Sequence, residues 1–212
     1  MSYIVKICGL TRAHDVLACV RAGVDWLGFI FHPSSPRAIS ARRVAAFETG
    51  TARRVGVFVH QSPAEVLAVM CEARLDLAQL HGGQNQAFCA EVGVERVVRV
   101  FWPQRYPRVT DLEKDLASFS EVAAYFLLDA GLSGGGCGET LDLDFLTDVI
   151  FPRPCLLAGG LTAERVAAVV STNPPNISGF DFNSGVENSP GIKDSDLIKA
   201  ALAAVTKKER PQ

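Results

Sequence analysis

The chain has 212 residues, 48% hydrophobic and 21% charged, with a formal net charge of −2. That is ordinary globular composition for one large domain or two small ones. It provides no basic field to attract nucleic acid and no apolar run long enough to span a membrane.

Short β-branched apolar runs begin near Tyr3, Val24, Arg54, Asp76, Glu95, Tyr125, Pro154 and Ile177, each followed by a loop and a helical period. Eight such units predict an α/β fold, a single-domain (β/α)8 TIM barrel over residues 1–206, with 207–212 as a flexible tail. A doubly wound sheet normally has fewer strands, and no clean Gly-x-Gly-x-x-Gly turn follows the first one. The six cysteines (Cys8, Cys19, Cys71, Cys89, Cys137, Cys155) are scattered without a C-x-x-C pair. This argues against a zinc site and a disulfide framework, so no metal is expected. No positive region leads into an apolar signal core, and the expected compartment is the cytoplasm.

The first unit carries the first candidate for chemistry. Its strand runs from Tyr3 to Gly9, with Cys8 at the carboxyl end and Lys6 two residues earlier on the same face. Thr11 reads as the N-cap of a helix reaching about Arg21, with Val16, Leu17 and Val20 on its packed face. Taken alone, a cysteine on a strand is more often a small buried hydrophobe. The second unit ends in a loop braced by Pro33 and Pro36, and Arg37 closes it. A rigid guanidinium fork there suits a carboxylate or phosphate, although a solvated loop arginine is the plainer alternative.

Ser62-Pro63-Ala64-Glu65 is a capping box that starts the third helix. In the fourth unit Gln79 and His81 leave the strand at the functional end of the barrel. A substrate pocket could use them, against the plainer reading of a histidine bonded to backbone. In the fifth, Arg99 shares strand parity with Val97, and periodicity does not decide which set points inward. Phe101-Trp102 after it could wall a ring or pack the rim. Gln104 to Ser120 shows only a poorly defined helix.

The sixth unit ends on Asp129 after four apolar residues, followed by Gly131, Gly134, Gly135, Gly136 and Gly138. An acid half out of water favours its protonated form, while an ordinary strand-end aspartate would cap the loop. The seventh closes on Gly159-Gly160, with Thr162 as the next N-cap. The eighth carries Asp181, then Asn183-Ser184-Gly185-Val186-Glu187 and Pro190-Gly191-Ile192-Lys193. Two small glycine loops after strands seven and eight fit a barrel phosphate site built from backbone N–H groups. The last helix, Ser195 to Val205, is expected to bury Leu197, Ile198, Ala201, Leu202 and Val205.

Together these segments resemble the phosphoribosylanthranilate isomerase family over nearly the whole chain. The resemblance rests on Val5-Lys6-Ile7-Cys8-Gly9-Leu10-Thr11, on Gly28-Phe29-Ile30-Phe31 through Ser35-Pro36-Arg37, and on Gln79-Leu80-His81-Gly82. It continues in Leu128-Asp129 with Gly135-Gly136-Cys137-Gly138, in Leu157-Ala158-Gly159-Gly160-Leu161, and in Asn183-Ser184-Gly185-Val186-Glu187 with Pro190-Gly191-Ile192-Lys193-Asp194. It implies an Amadori rearrangement of a small phosphorylated substrate without metal or organic cofactor, in a monomer or homodimer. It implies Cys8 as general base, Asp129 as general acid, Arg37 on the anthranilate carboxylate, and Gly159, Gly160, Ser184 and Gly185 on phosphate. Lys6, Gln79, His81, Gly135, Gly136 and Asp181 are further pocket candidates. A thiolate serves as the base if its pKa falls from about 8.5 toward 7, which Arg37 or Lys6 nearby would favour.

The chain departs from the family pattern at Cys137, where serine or threonine is usual, and at Leu141-Asp142-Leu143, where Phe-Asp-Trp is usual. His60 stands where a small polar residue is expected. A histidine-pathway sugar-phosphate isomerase would have an aspartate in place of Cys8 and an internal repeat. An indoleglycerol-phosphate synthase would need a strand-end lysine acid. A non-catalytic phosphate-binding barrel would not need Cys8, Asp129 and Arg37 together.

Overall fold

The structure, a computed structural model, describes residues 3–129, 149–172, 174 and 176–206. Eight strands close into a barrel in chain order: β1 Ile4–Ile7, β2 Trp26–Ile30, β3 Arg53–Phe58, β4 Leu77–Leu80, β5 Val97–Phe101, β6 Tyr125–Asp129, β7 Cys155–Ala158 and β8 Ile177–Phe182. Every neighbouring pair is parallel. At the closing seam Lys6 of β1 lies opposite Asp181 of β8. The helices among the described residues are α1 Ala13–Ala22, α2 Ala41–Ala45, α3 Pro63–Ala73, α4 Gln86–Val92, α5 Val109–Ser118, α6 Ala163–Ser171 and α7 Ser195–Val205. A small antiparallel hairpin, β9 Glu187–Ser189 with β10 Ile192–Lys193, lies between β8 and α7.

The period of two divides the apolar residues into two cores. Trp26, Val55, Leu77, Val98, Leu127 and Leu156 fill the barrel interior. The alternate residues, among them Ile7, Phe29, Phe58, Phe126 and Phe180, pack outward under the helices. This settles strand five. Val98 and Val100 point inward, and Arg99 lies outside, 6% exposed, under the rings of Phe101 and Phe119. Its guanidinium donates to the carbonyl of Val100. Phe101 and Trp102 take different roles: Phe101 is 1% exposed in the outer core, and Trp102 packs against the inner cluster.

The helix starts follow their sequence signals in α3 and α6. Ser62 and Glu65 form the reciprocal capping box, and Thr162 accepts from the Arg165 N–H. Thr11 does not cap α1. Its hydroxyl donates to the Gly191 carbonyl at 2.6 Å, the cap position is Arg12, and Arg12 instead grips Asp15 through two contacts. The buried face of α1 is Asp15, Val16 and Cys19, while Leu17 is 41% exposed. On α7 Leu197 is 40% exposed, because Ile198, Ala201 and Val205 already turn the helix toward the barrel. The weakly patterned stretch holds α5, seated by Leu112 and Leu116 one turn apart. None of the helices among the described residues is long and apolar enough to cross a membrane. Gly135, Gly136, Cys137, Leu141-Asp142-Leu143 and the 207–212 tail lie outside the described residues.

Candidate active site

The carboxyl ends of the strands gather most of the candidate residues at one mouth of the barrel. Cys8 follows β1 directly and is 4% exposed. Its N–H donates to the Phe182 carbonyl at 2.8 Å, which ties the loop after β1 to β8. Gly28, inside β2, makes room for the thiol, since a Cβ there would lie 2.8 Å from Sγ. Burial pushes the Cys8 thiol up, Lys6 and Lys193 pull it partly back, and Asp181 opposes them. Desolvation outweighs the neighbouring cations, so the thiol of the resting site is raised and not lowered.

Under Cys8, Lys6 Nζ meets Asp181 Oδ2 at 2.7 Å, with the side chains 0% and 6% exposed. Burial pushes Lys6 down, but the charges of Asp181 and Cys8 outweigh it and hold the ammonium above the usual lysine range. Burial pushes Asp181 up against the pull of Lys6. The short contact requires a proton between the two atoms. A contact this short is charge-assisted, which favours ammonium and carboxylate over the neutral pair.

Arg37 stands beside Cys8. A Cβ on Gly9, which has φ 72°, would meet Arg37 Cδ and Asn183 Oδ1 at 2.6 Å each. The Arg37 guanidinium donates to Glu187 through Nε at 2.9 and 3.2 Å and through Nη2 at 2.7 Å. Lys193 Nζ donates to the same carboxylate at 2.8 Å and to the Asn183 carbonyl and side-chain oxygen at 3.0 Å each. Two cations thus share one carboxylate that is 4% exposed.

Across the mouth, Asp129 closes β6 with its side chain 21% exposed, and His81 Nε2 stands 3.4 Å from its Oδ2. Gln79 Nε2 lies 3.3 Å from His81 Nδ1. An amide nitrogen can only donate, so in this arrangement Nδ1 accepts and the ring proton faces Asp129. The imidazole meets Trp102 edge-on at 5.3 Å. His81 therefore bonds side chains, not the backbone, because its ring turns toward β6. His60 is exposed and meets His32 edge-on at 5.3 Å.

The two glycine loops meet at one side of this mouth. Gly159 and Gly160 follow β7 at φ 101° and 61° and lead to Thr162 and α6. Ser184 opens a 3-10 turn after β8. Gly185 in that turn lies so close to the other loop that a Cβ would sit 1.9 Å from the Leu161 carbonyl oxygen. Only glycine permits that approach. Sequence reasoning assigned no role to Gly28, Glu187 or Lys193. An isolated glycine inside a strand was the signal for the first; the other two stood in a matched motif without a stated partner.

Residues 5–204 match the family model described as N-(5'-phosphoribosyl)anthranilate (PRA) isomerase. The chain is 48% identical to the N-(5'-phosphoribosyl)anthranilate isomerase of Maridesulfovibrio salexigens, over 97% of this chain and 99% of that one. Among solved structures it is similar to the phosphoribosyl anthranilate isomerase of Thermotoga maritima, with TM-score 0.84, 33% identity, and coverage of 97% and 98%. It is also similar to a phosphoribosyl anthranilate isomerase solved with reduced 1-(o-carboxyphenylamino)-1-deoxyribulose 5-phosphate, with TM-score 0.78, 34% identity, and coverage of 97% and 98%.

Proposed function

Because the chain belongs to the N-(5'-phosphoribosyl)anthranilate isomerase family, we propose that it performs the tryptophan-pathway isomerisation with Cys8 as general base and Asp129 as general acid. The substrate is N-(5-phosphoribosyl)anthranilate and the product is 1-(2-carboxyphenylamino)-1-deoxyribulose 5-phosphate. The observation that carries the reading is the opposition of Cys8, after β1, and Asp129, at the end of β6, across one barrel mouth. A small sugar between them has one face toward each.

The chemistry moves protons only. Asp129 protonates the furanose ring oxygen, the bond from C1 to that oxygen breaks, and the nitrogen lone pair forms C1=N. The C2 hydrogen is then acidic. Cys8 removes it from its minor thiolate form, whose own proton has gone to solvent beforehand; the electron pair forms C1=C2, and the nitrogen recovers its pair as an enolamine. Protonation of C1 and loss of the C2 hydroxyl proton give the ketone. One proton leaves the acid and one reaches the base, one is gained at C1 and one lost at oxygen, so the sequence balances without metal or redox cofactor. A thiolate formed in a desolvated site is a stronger base than one in water.

The remaining groups hold the ends of the substrate. Arg37, whose Nε–Nη2 edge is held by Glu187, takes the anthranilate carboxylate on its other edge, toward Nη1. The N–H groups around Gly159, Gly160 and Gly185 take the phosphate, with the Ser184 hydroxyl and the start of α6 adding donors and partial positive charge. The reaction belongs in the cytoplasm, where reducing conditions keep a thiol such as Cys8 available. The test follows anthranilate-ring fluorescence on adding freshly made phosphoribosylanthranilate to the purified chain. Turnover supports the reading. Binding of the reduced product analogue without turnover would replace it with a non-catalytic phosphate-binding barrel.

A further inference from the structure

Lys6 and Asp181 are charged groups that no step above uses. They face each other across the closing seam of the barrel, 2.7 Å apart and almost wholly out of solvent. Asp181 Oδ1 is buried and has no hydrogen-bond partner among the described residues. The surrounding inward positions are filled by Trp26, Leu127, Leu156 and other apolar side chains. A buried ion pair seldom stabilises a fold more than packed apolar residues would, since each ion loses several kcal/mol, roughly, of hydration. Stability alone therefore does not account for the pair.

Its neighbours indicate its use. Lys6 lies on β1 and Cys8 directly after it, two residues on, so the period of two turns both side chains to the same side, and the Lys6 charge opposes the burial that raises the thiol. The other charged groups that act on Cys8 are Asp181 of β8, Lys193 of β10 and Arg37 of the loop after β2. Lys193 and Arg37 are both held by Glu187. Lys6 is held by Asp181, which also feels Asp129 and His81 on the acid side of the mouth.

We propose that Lys6, aimed by Asp181, is the positioning residue that supplies the counter-charge of the Cys8 thiolate while the C2 proton is removed. The assignment rests on Cys8 being the base. The ammonium keeps its protons throughout: it faces the thiolate before the transfer and returns to Asp181 once sulfur carries the C2 proton. A lysine in this place stabilises the thiolate without offering a competing acid to the substrate.

The test is the thiolate absorbance of Cys8 against pH, taken as the difference between each protein and its Cys8→Ser counterpart, so the other cysteines cancel. It is run on the parent, Lys6→Met and Asp181→Asn, each checked for cooperative unfolding. Lys6→Met is expected to raise the Cys8 midpoint by about one pH unit or more, a roughly tenfold smaller thiolate fraction below it. It should also lower kcat with little change in KM. Asp181→Asn, which releases the ammonium toward sulfur, is expected to lower the midpoint. A folded Lys6→Met with an unchanged midpoint overturns the proposal; if Lys6→Met does not fold, an unchanged or raised midpoint in Asp181→Asn does so. If Cys8→Ser turns over normally, the base assignment itself fails. If Cys8→Ser is dead and the midpoints do not move, only the role of Lys6 fails.

Discussion

Arg37 and Glu187 form a two-pronged pair, with Nε and Nη2 of the arginine 2.9 and 2.7 Å from the two carboxylate oxygens. Lys193 binds the same carboxylate, so the cluster carries one more positive charge than negative and is suited to a further carboxylate. Arg37→Met should therefore cost roughly tenfold to a hundredfold in kcat/KM, expressed mainly in KM. Comparing phosphoribosylanthranilate with its aniline counterpart, which lacks the carboxylate, checks this. The parent should prefer the former, and Arg37→Met should lose the preference. A variant that keeps the preference would show that the carboxylate binds elsewhere.

Gly28 leaves the space that Cys8 fills, with the Cβ position 2.8 Å from Sγ and 2.9 Å from the Cys8 Cα. The second contact is with backbone, so Gly28→Ala must displace the strand that presents the thiol. A shift of about 1 Å at a reacting group can cost around a hundredfold in rate, and overpacking of this kind costs about 1–3 kcal/mol. Kinetics and urea unfolding of Gly28→Ala should show both losses. Parent-like kcat would mean that the position of Sγ is not critical.

His81 reaches Asp129 at 3.4 Å while its ring packs edge-on against Trp102. His81→Phe keeps the ring and removes the polar contact. We expect kcat to fall by about tenfold or more with a shifted pH profile, as for a group that orients a general acid. An unchanged profile would leave His81 as packing alone.

Acid should loosen the same mouth. Burial raises the Glu187 carboxyl, but Arg37, Lys193 and the Gly191 N–H outweigh it and hold it below the usual range. Asp15 is likewise raised by burial, and held low overall by Arg12 and the Lys193 N–H. A carboxyl lowered in the fold adds stability that is complete above its unfolded pKa, about 4, and is lost as pH falls through its folded value. Thermal unfolding between about pH 6 and pH 3 should show Tm falling below about pH 4.5, and falling less in Glu187→Gln. Equal slopes in both proteins would remove Glu187 from the acid response.

The barrel was legible in the sequence because its strands alternate with helices at a regular spacing, and the Ser62–Glu65 and Thr162 caps are local signals that nothing distant overrides. Thr11 was misread because its hydroxyl is taken by Gly191, a partner 180 residues away that no local pattern reveals. Leu17 and Leu197 were misplaced because apolar spacing fixes a helical face only to within a residue or so, and neighbouring helices select the residue that turns inward. Cys8 and Asp129 stand where the sequence placed them, after β1 and at the end of β6, and Arg37 stands in the loop after β2. The partners that govern them, Lys6 with Asp181 and Glu187 with Lys193, depend on contacts across strands and loops far apart in the chain. The resting state of Cys8 was open in the sequence for a related reason: cations nearby could be inferred, but the degree of burial that raises the thiol could not.

The central claim is that a base after β1 and an acid at the end of β6 share one turnover. The most direct test is steady-state turnover of phosphoribosylanthranilate by the parent, Cys8→Ser and Asp129→Asn, with phosphate-analogue binding measured on all three. Losses of about a hundredfold or more in kcat for each variant, with binding retained, are the predicted result. Parent-like turnover by either variant, with the fold intact, would contradict the assignment of that residue.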